Sequence, residues 1–315
     1  MIPQSGQENN SIRDAFFGPG GGNSKIGADS PPRPACGIVR EKSMNDFLQK
    51  SDYEEPRCLL DMHPEVTPVP VGRIIEKLDS YLNRKDYDAA EKHLSYWLDE
   101  ADAGNDPRGK LTILNEQIGL YRKTGKEAQC LAAIAAALSQ ADSMDMGQSV
   151  TAGTTLLNAA TGCKAFGKAE EALPLYRKAK TIYEAALAPD DKRLGGLYNN
   201  MALALTDLRE FDEAKALYQK AIGIMEKQKG GATEVAITRL NLADLIAAEK
   251  GPIDGEEEIE TQLLEAEKLL DAEDLPRNGT YAFVCEKCAP VFGYYGHFVT
   301  EKELNRRAKE IYERT

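Results

Sequence analysis

Two thiols, Cys285 and Cys288, have the spacing of a redox or metal-binding motif. A Cys-x-x-Cys redox motif is expected in a βαβ setting, and a structural zinc site needs two more Cys or His ligands at suitable spacing. The neighbouring sequence supplies only His297. We therefore interpret the two thiols as one face of a helix, and we predict no metal site and no cofactor.

The other candidates for chemistry lack partners at useful spacing. His63, His93 and His297 are too scattered for a catalytic or metal-binding cluster. The glycine-rich segment 18–22 does not follow a strand pattern, and the Lys-Ser/Thr pair of a phosphate loop does not follow it. Because no nucleophile, base and orienting group can be assembled from spacing, we predict that the chain is not an enzyme.

A recurring asparagine is the clearest polar signal. Asn158, Asn200 and Asn241 stand 42 and 41 residues apart. An amide can both donate to and accept from a peptide backbone of any sequence. In the preceding repeat the aligned position is Glu116, with Asn115 one residue earlier. These residues, with four others on the same predicted helix face, form a candidate peptide-binding groove; the four are Thr161, Lys164, Leu203 and Asp244.

The elements that position these residues are predicted to be helices. From about residue 71 onward, apolar side chains recur three and four residues apart, which is the spacing of one helix face. The pattern predicts six pairs of helices: 72–84 with 86–101, 108–124 with 126–141, 150–166 with 168–187, 192–209 with 211–228, 233–249 with 256–272, and 280–292 with 300–314. The second helix of each of the first four pairs carries a small residue at one aligned position: Ala90, Cys130, Ala172 and Ala214, with Ile259 in the fifth. A period of this length indicates a helical-repeat solenoid.

Segments 167–187 and 197–227 resemble tetratricopeptide repeats, specifically the longer variety found in kinesin light chains. The matching residues are Ala160, Ala202, Ala243, Gly125, Gly167, Tyr176 and Tyr218, whereas Arg209 departs from the glycine position. The resemblance implies an all-α, right-handed superhelical solenoid of about six antiparallel helix pairs over residues 71–315. It also implies that the first helix of each pair lines a concave face that holds peptides or partner helices.

Two interpretations of the asparagines remain open: contact with a ligand in the groove, or hydrogen bonds that only maintain stacking. Lys164 stands among Glu116 and Asp244, so the candidate groove lacks the basic cluster that would predict an acidic tail as ligand. A mixed or apolar peptide is the expected partner. The favoured function is a non-enzymatic scaffold or adaptor, and the alternative is an intracellular peptide-sensing regulator that acts through a partner effector.

Composition limits the partners and the compartment. A formal net charge of −12 and a pI of about 5.0 disfavour binding to nucleic acid or anionic membranes. The apolar run at 131–138 is far shorter than a membrane helix, and six dispersed cysteines indicate reduced thiols, so a cytoplasmic location is expected.

The two ends of the chain differ from the repeats. Residues 1–43 are predicted to be a disordered extension and 44–70 an extended, proline-containing lead-in. Near the other end, Phe292, Tyr294, Tyr295 and Phe298 form an aromatic cluster. Homo-oligomerisation through this cluster is possible, but packing under the final helix is favoured, because Leu304, Ala308 and Ile311 give that helix an apolar stripe.

Overall fold

A computed structural model describes residues 66–314 of the chain. The predictions for residues 1–43 and 44–65, for the segment 18–22 and for His63 lie outside the described residues. Residues 66–70 are not helical. They are hydrogen-bonded to the connection between the first and second helix pairs, because the Thr67 amide donates to the Gly104 carbonyl (2.8 Å) and the Val69 amide donates to Oδ2 of Asp106 (3.0 Å).

The described residues form twelve α-helices and no strand. Their bounds are α1 Val71–Asn83, α2 Tyr87–Ala103, α3 Pro107–Lys123, α4 Glu127–Ser143, α5 Val150–Ala165, α6 Ala169–Ala186, α7 Lys192–Asp207, α8 Phe211–Met225, α9 Ala232–Lys250, α10 Glu256–Leu270, α11 Gly279–Tyr294 and α12 Phe298–Arg314. Consecutive helices pack as six antiparallel pairs that stack into a right-handed superhelical solenoid. The predicted fold class is confirmed.

The odd-numbered helices form the inner layer of the solenoid. From α3 to α11, each odd-numbered helix also contacts the odd-numbered helix of the next pair. Successive even-numbered helices make no comparable contact within the described residues. Because helices on the inside of a curved stack lie closer together than those on the outside, the first helices of the pairs line the concave side.

The aligned small residues of the second helices lie at the centre of the core. Ala90, Cys130, Ala172 and Ala214 are each 0% exposed, and the bulky side chains four residues further along are buried as well. Those bulky side chains are Leu94, Ile134, Tyr176 and Tyr218, and Leu263 is buried at the same position after Ile259 in the fifth pair. The small side chains allow neighbouring helices to approach closely, while the large ones fill the space beside them.

The turn inside every helix pair contains one residue in the left-handed region. Gly125 and Gly167 have φ angles of 70° and 76°. Lys85 and Arg209 take the same conformation at the corresponding turns, with φ angles of 57° and 63°. Arg209 therefore departs from the glycine pattern in sequence but not in backbone geometry; its guanidinium stacks on the ring of Phe211 at 5.4 Å.

The aromatic cluster near the end of the chain is divided between core and surface. Phe292 is fully buried in the same apolar cluster as Leu304, Ala308 and Ile311 of α12. Tyr295 is half-buried, whereas Tyr294 and Phe298 are 76% and 59% exposed. Half of the cluster thus packs as expected beneath the last helix, and homo-oligomerisation through the exposed half stays the alternative that the sequence does not favour.

Replacing Gly167 by Ala should lower the free energy of unfolding by about 1 kcal/mol, because a Cβ disfavours the left-handed conformation. No neighbouring atom lies within 4 Å of the added Cβ, so the backbone effect is isolated. The matched control is Gly119→Ala inside α3, where the Cβ also meets nothing within 4 Å. That control should raise stability by roughly 0.5–1 kcal/mol. Urea denaturation of both variants tests this, and equal shifts of the same sign would contradict the prediction.

Candidate functional site

A pair of asparagines joins α3 to α5 on the inner layer. Nδ2 of Asn158 donates to Oδ1 of Asn115 (2.8 Å), and Nδ2 of Asn115 donates to the hydroxyl of Thr155 (3.1 Å). The bonded residues are 43 positions apart. Asn115, rather than the aligned Glu116, is therefore the hydrogen-bond partner of Asn158.

A second asparagine pair joins α7 to α9. Nδ2 of Asn241 donates to Oδ1 of Asn199 at 3.0 Å, and both residues are almost completely buried. Asn200, which the sequence period aligns with Asn241, is only 2% exposed. Within the described part of the chain, the side-chain amide nitrogens of Asn199 and Asn200 have no hydrogen-bond partner.

Three further candidates make contacts between helices. Lys164 of α5 is buried and its Nζ lies 3.0 Å from Oδ2 of Asp207 on α7. The hydroxyl of Tyr176 donates to Oγ1 of Thr161 at 3.1 Å. Asp244 accepts a 3.0 Å hydrogen bond from the hydroxyl of Tyr295, which links α9 to the last pair.

Two carboxyl groups come close together between α1 and α3. Burial, together with the smaller effect of the negative charge of Asp79, raises the pKa of Glu116 to about 7. Burial also raises the pKa of Asp79, one of whose carboxyl oxygens is buried without a hydrogen-bond partner among the described residues. Glu116 is therefore close to half-protonated near neutral pH.

The inner layer brings the sequence-predicted residues together, but most of them are engaged with other side chains. Asn115, Asn158, Thr161, Lys164, Asn241 and Asp244 are all bonded across helices, whereas Leu203 is a buried apolar residue beside Asn200 on α7. These bonds support the stacking interpretation, and ligand contact by this set stays a prediction.

Sequence reasoning missed three residues of this surface: Asn199, Asp79 and Asp207. The signal for Asn199 was present, since it forms a doublet with Asn200. Asp79 and Asp207 have no comparable sequence signal, because each interacts with a candidate residue on a helix of a different pair.

The buried thiols offer no accessible chemistry. Burial raises the pKa of Cys285 to about 12 and that of Cys288 further still, so neither thiol is a nucleophile near neutral pH. No group of three or more potential metal ligands occurs within residues 66–314. Across the same range, the helices are too short or too polar to cross a membrane.

Comparisons with known proteins agree with the repeat architecture. A tetratricopeptide repeat family model matches residues 195–227. The Arabidopsis thaliana protein KINESIN LIGHT CHAIN-RELATED 3 is 28% identical over 152 residues, which are 47% of this chain and 23% of the relative. The chain thus matches about a quarter of that relative's length, and the resemblance to kinesin-light-chain-like tetratricopeptide repeats is confirmed.

A solved structure shows the same fold. The crystal structure of BtubC (BKLC) from P. vanneervenii is 20% identical, with a TM-score of 0.55 over 66% of this chain and 85% of that chain. A Podosopora anserina putative kinesin light chain with nearly identical TPR-like repeats is 14% identical, with a TM-score of 0.47 over 64% of this chain and 94% of that chain. Folds of this type generally mediate protein–protein interaction and are generally non-enzymatic.

Replacing Asn241 by Ala should destabilise the chain by about 1–2 kcal/mol, because the buried Oδ1 of Asn199 then loses its donor. The matched variant Asn200→Ala should cost much less, because it removes a buried amide nitrogen that has no hydrogen-bond partner among the described residues. Chemical denaturation of the two variants tests the difference. An equal or larger loss for Asn200→Ala would show that the hydrogen-bond assignment is wrong.

Glu116→Gln should stabilise the chain at pH 8 and have much less effect at pH 4. The folded-state pKa of Glu116 is raised from 4.5 to about 7, so stability falls as pH rises from 4.5 through 7. The uncharged amide removes that loss, and the gain at pH 8 should be on the order of 1–2 kcal/mol. Thermal melts of both proteins at the two pH values provide the measurement. The same shift at both values would contradict a raised pKa.

Proposed function

We propose that the chain is a non-enzymatic scaffold or adaptor that holds a peptide or protein segment on its concave face. The surface that carries this function is the inner layer of odd-numbered helices, with α7 at its centre. The support is the fold, which generally serves protein–protein interaction, together with the polar groups on this layer.

The amide nitrogens of Asn199 and Asn200 carry the proposal. Both are buried and have no hydrogen-bond partner in the described part of the chain. Because leaving a buried donor unsatisfied costs about 1–3 kcal/mol, native proteins seldom retain one without a reason. A backbone carbonyl of a bound peptide would supply the missing acceptor once the side chains that cover these nitrogens move aside, and it would do so for many peptide sequences.

The chemistry around these amides favours a mixed or apolar peptide. Leu203 lies one turn further along the same helix and is 4% exposed. The charge of Lys164 is compensated by Asp207 at 3.0 Å. The candidate residues described on this layer therefore do not form a basic cluster that would favour an acidic tail.

Selection from a random 12-residue peptide display library provides the test. Peptides enriched on the full wild-type chain are synthesised, and their affinities are measured by fluorescence polarisation against two variants. Asn200→Ala should weaken binding by about tenfold, which corresponds to one lost hydrogen bond to the backbone. Gln219→Ala, which removes an exposed amide on the outer helix α8, should leave affinity unchanged.

Either of two results would overturn the proposal. One is the absence of enriched peptides. The other is a set of peptides that bind wild type and Asn200→Ala equally, which would place recognition on a different surface.

A further inference from the structure

The first and last helix pairs approach each other, although four pairs separate them along the chain. Nζ of Lys85, in the turn between α1 and α2, lies 3.9 Å from Oε1 of Glu286 on α11. The same ammonium group lies 6.0 Å from the ring centre of Tyr312 on α12. The hydroxyl of Tyr312 in turn donates to Oε2 of Glu286 at 3.3 Å.

A second contact reaches the same part of the molecule from the second pair. Nζ of Lys123, the last residue of α3, lies 5.7 Å from the ring centre of Phe283 on α11 and 5.9 Å from the ring of Tyr87. Lys287 also lies 5.7 Å from the Phe283 ring. Two lysines from the first pairs therefore meet an acidic and aromatic patch on the last pair.

We propose that these contacts form an intramolecular clasp that joins the two ends of the superhelix and closes its concave side into a ring. The clasp consists of Lys85 and Lys123 on one side and Phe283, Glu286 and Tyr312 on the other. The clasp is independent of the proposed peptide-binding function, because it consists of contacts within one chain and involves no ligand.

The ion pair of the clasp is exposed to solvent. The side chains of Lys85 and Glu286 are 69% and 46% exposed, so water and salt screen their attraction. Contacts between adjacent pairs instead bury continuous apolar clusters. Because each pair of a solenoid is held mainly by its neighbours, breaking the clasp separates the ends without unfolding a repeat. The ring therefore opens with increasing ionic strength.

Zero-length carbodiimide cross-linking of the full chain, followed by mass spectrometry, tests the clasp. The reagent joins an amine to a carboxylate only when the two are in contact. We expect a Lys85–Glu286 cross-link at low salt. The control is the pair Lys126 and Glu91, which lies 2.6 Å apart between neighbouring repeats and is less exposed.

The yield of the Lys85–Glu286 cross-link, relative to the control, should fall at least about fivefold in 1 M NaCl, where the Debye length is roughly 3 Å. The double variant Lys85→Glu with Glu286→Lys should retain the cross-link, because exchanging the two charges preserves the pair. The control cross-link in that variant reports that the repeats are folded.

Mixing isotopically labelled and unlabelled protein identifies whether the cross-link joins one chain to itself. Cross-links within single isotopic species are expected. Mixed-isotope cross-links would overturn the clasp in favour of an interface between two copies. Absence of the Lys85–Glu286 cross-link at low salt, with the control formed, would also overturn it, as would its loss in the charge-exchanged variant.

Discussion

Close packing between neighbouring helix pairs is the constraint on which the rest of the structure depends. One pair of helices has too little interior to bury its apolar face, so it must be covered by the next pair. The helices approach closely because small residues stand where they cross. A Cβ added at Gly153 of α5 would lie 2.7 Å from Cε1 of Tyr183, and one added at Gly162 would lie 2.8 Å from Cδ1 of Ile134. These small residues set the distance between helices, which in turn brings the polar groups of the inner layer within bonding distance.

Hydrogen bonds on the inner layer fix the relative position of neighbouring helices, which apolar packing alone does not determine. An apolar side chain tolerates small shifts, whereas the 2.8 Å bond between Asn158 and Asn115 requires one relative position of α5 and α3. The same layer is the proposed ligand surface, so stacking and binding draw on one set of side chains. On α7 both roles meet: Oδ1 of Asn199 accepts a bond from Asn241, while the amide nitrogens of Asn199 and Asn200 have no partner among the described residues.

The sequence was sufficient to predict the helix pairs and their core, because both depend on periodic apolar and small residues. The predicted start near residue 71 matches α1, and the aligned small residues from Ala90 to Ala214 are all buried. The bonded asparagines were not predictable from the period. The interval from Asn115 to Asn158 is 43 residues, and Asn199 rather than Asn200 contacts Asn241. One residue rotates a side chain by about 100° around a helix, so a period known only to within one residue cannot decide which amide faces the neighbour.

Contact between the first and last described helix pairs depends on the curvature of the whole solenoid. Each interface between pairs contributes a small rotation, and the position of the last pair relative to the first is the sum of these rotations. Lys85 and Glu286 meet only when the summed rotation brings the last pair back to the first. The helices of these two pairs do not pack extensively against each other among the described residues. A change at any single interface, including one at which a ligand bridges two inner helices, therefore alters the separation of the ends. The contact itself is exposed and weak, so it breaks when the separation of the two pairs increases. The buried interfaces between neighbouring pairs determine the curvature.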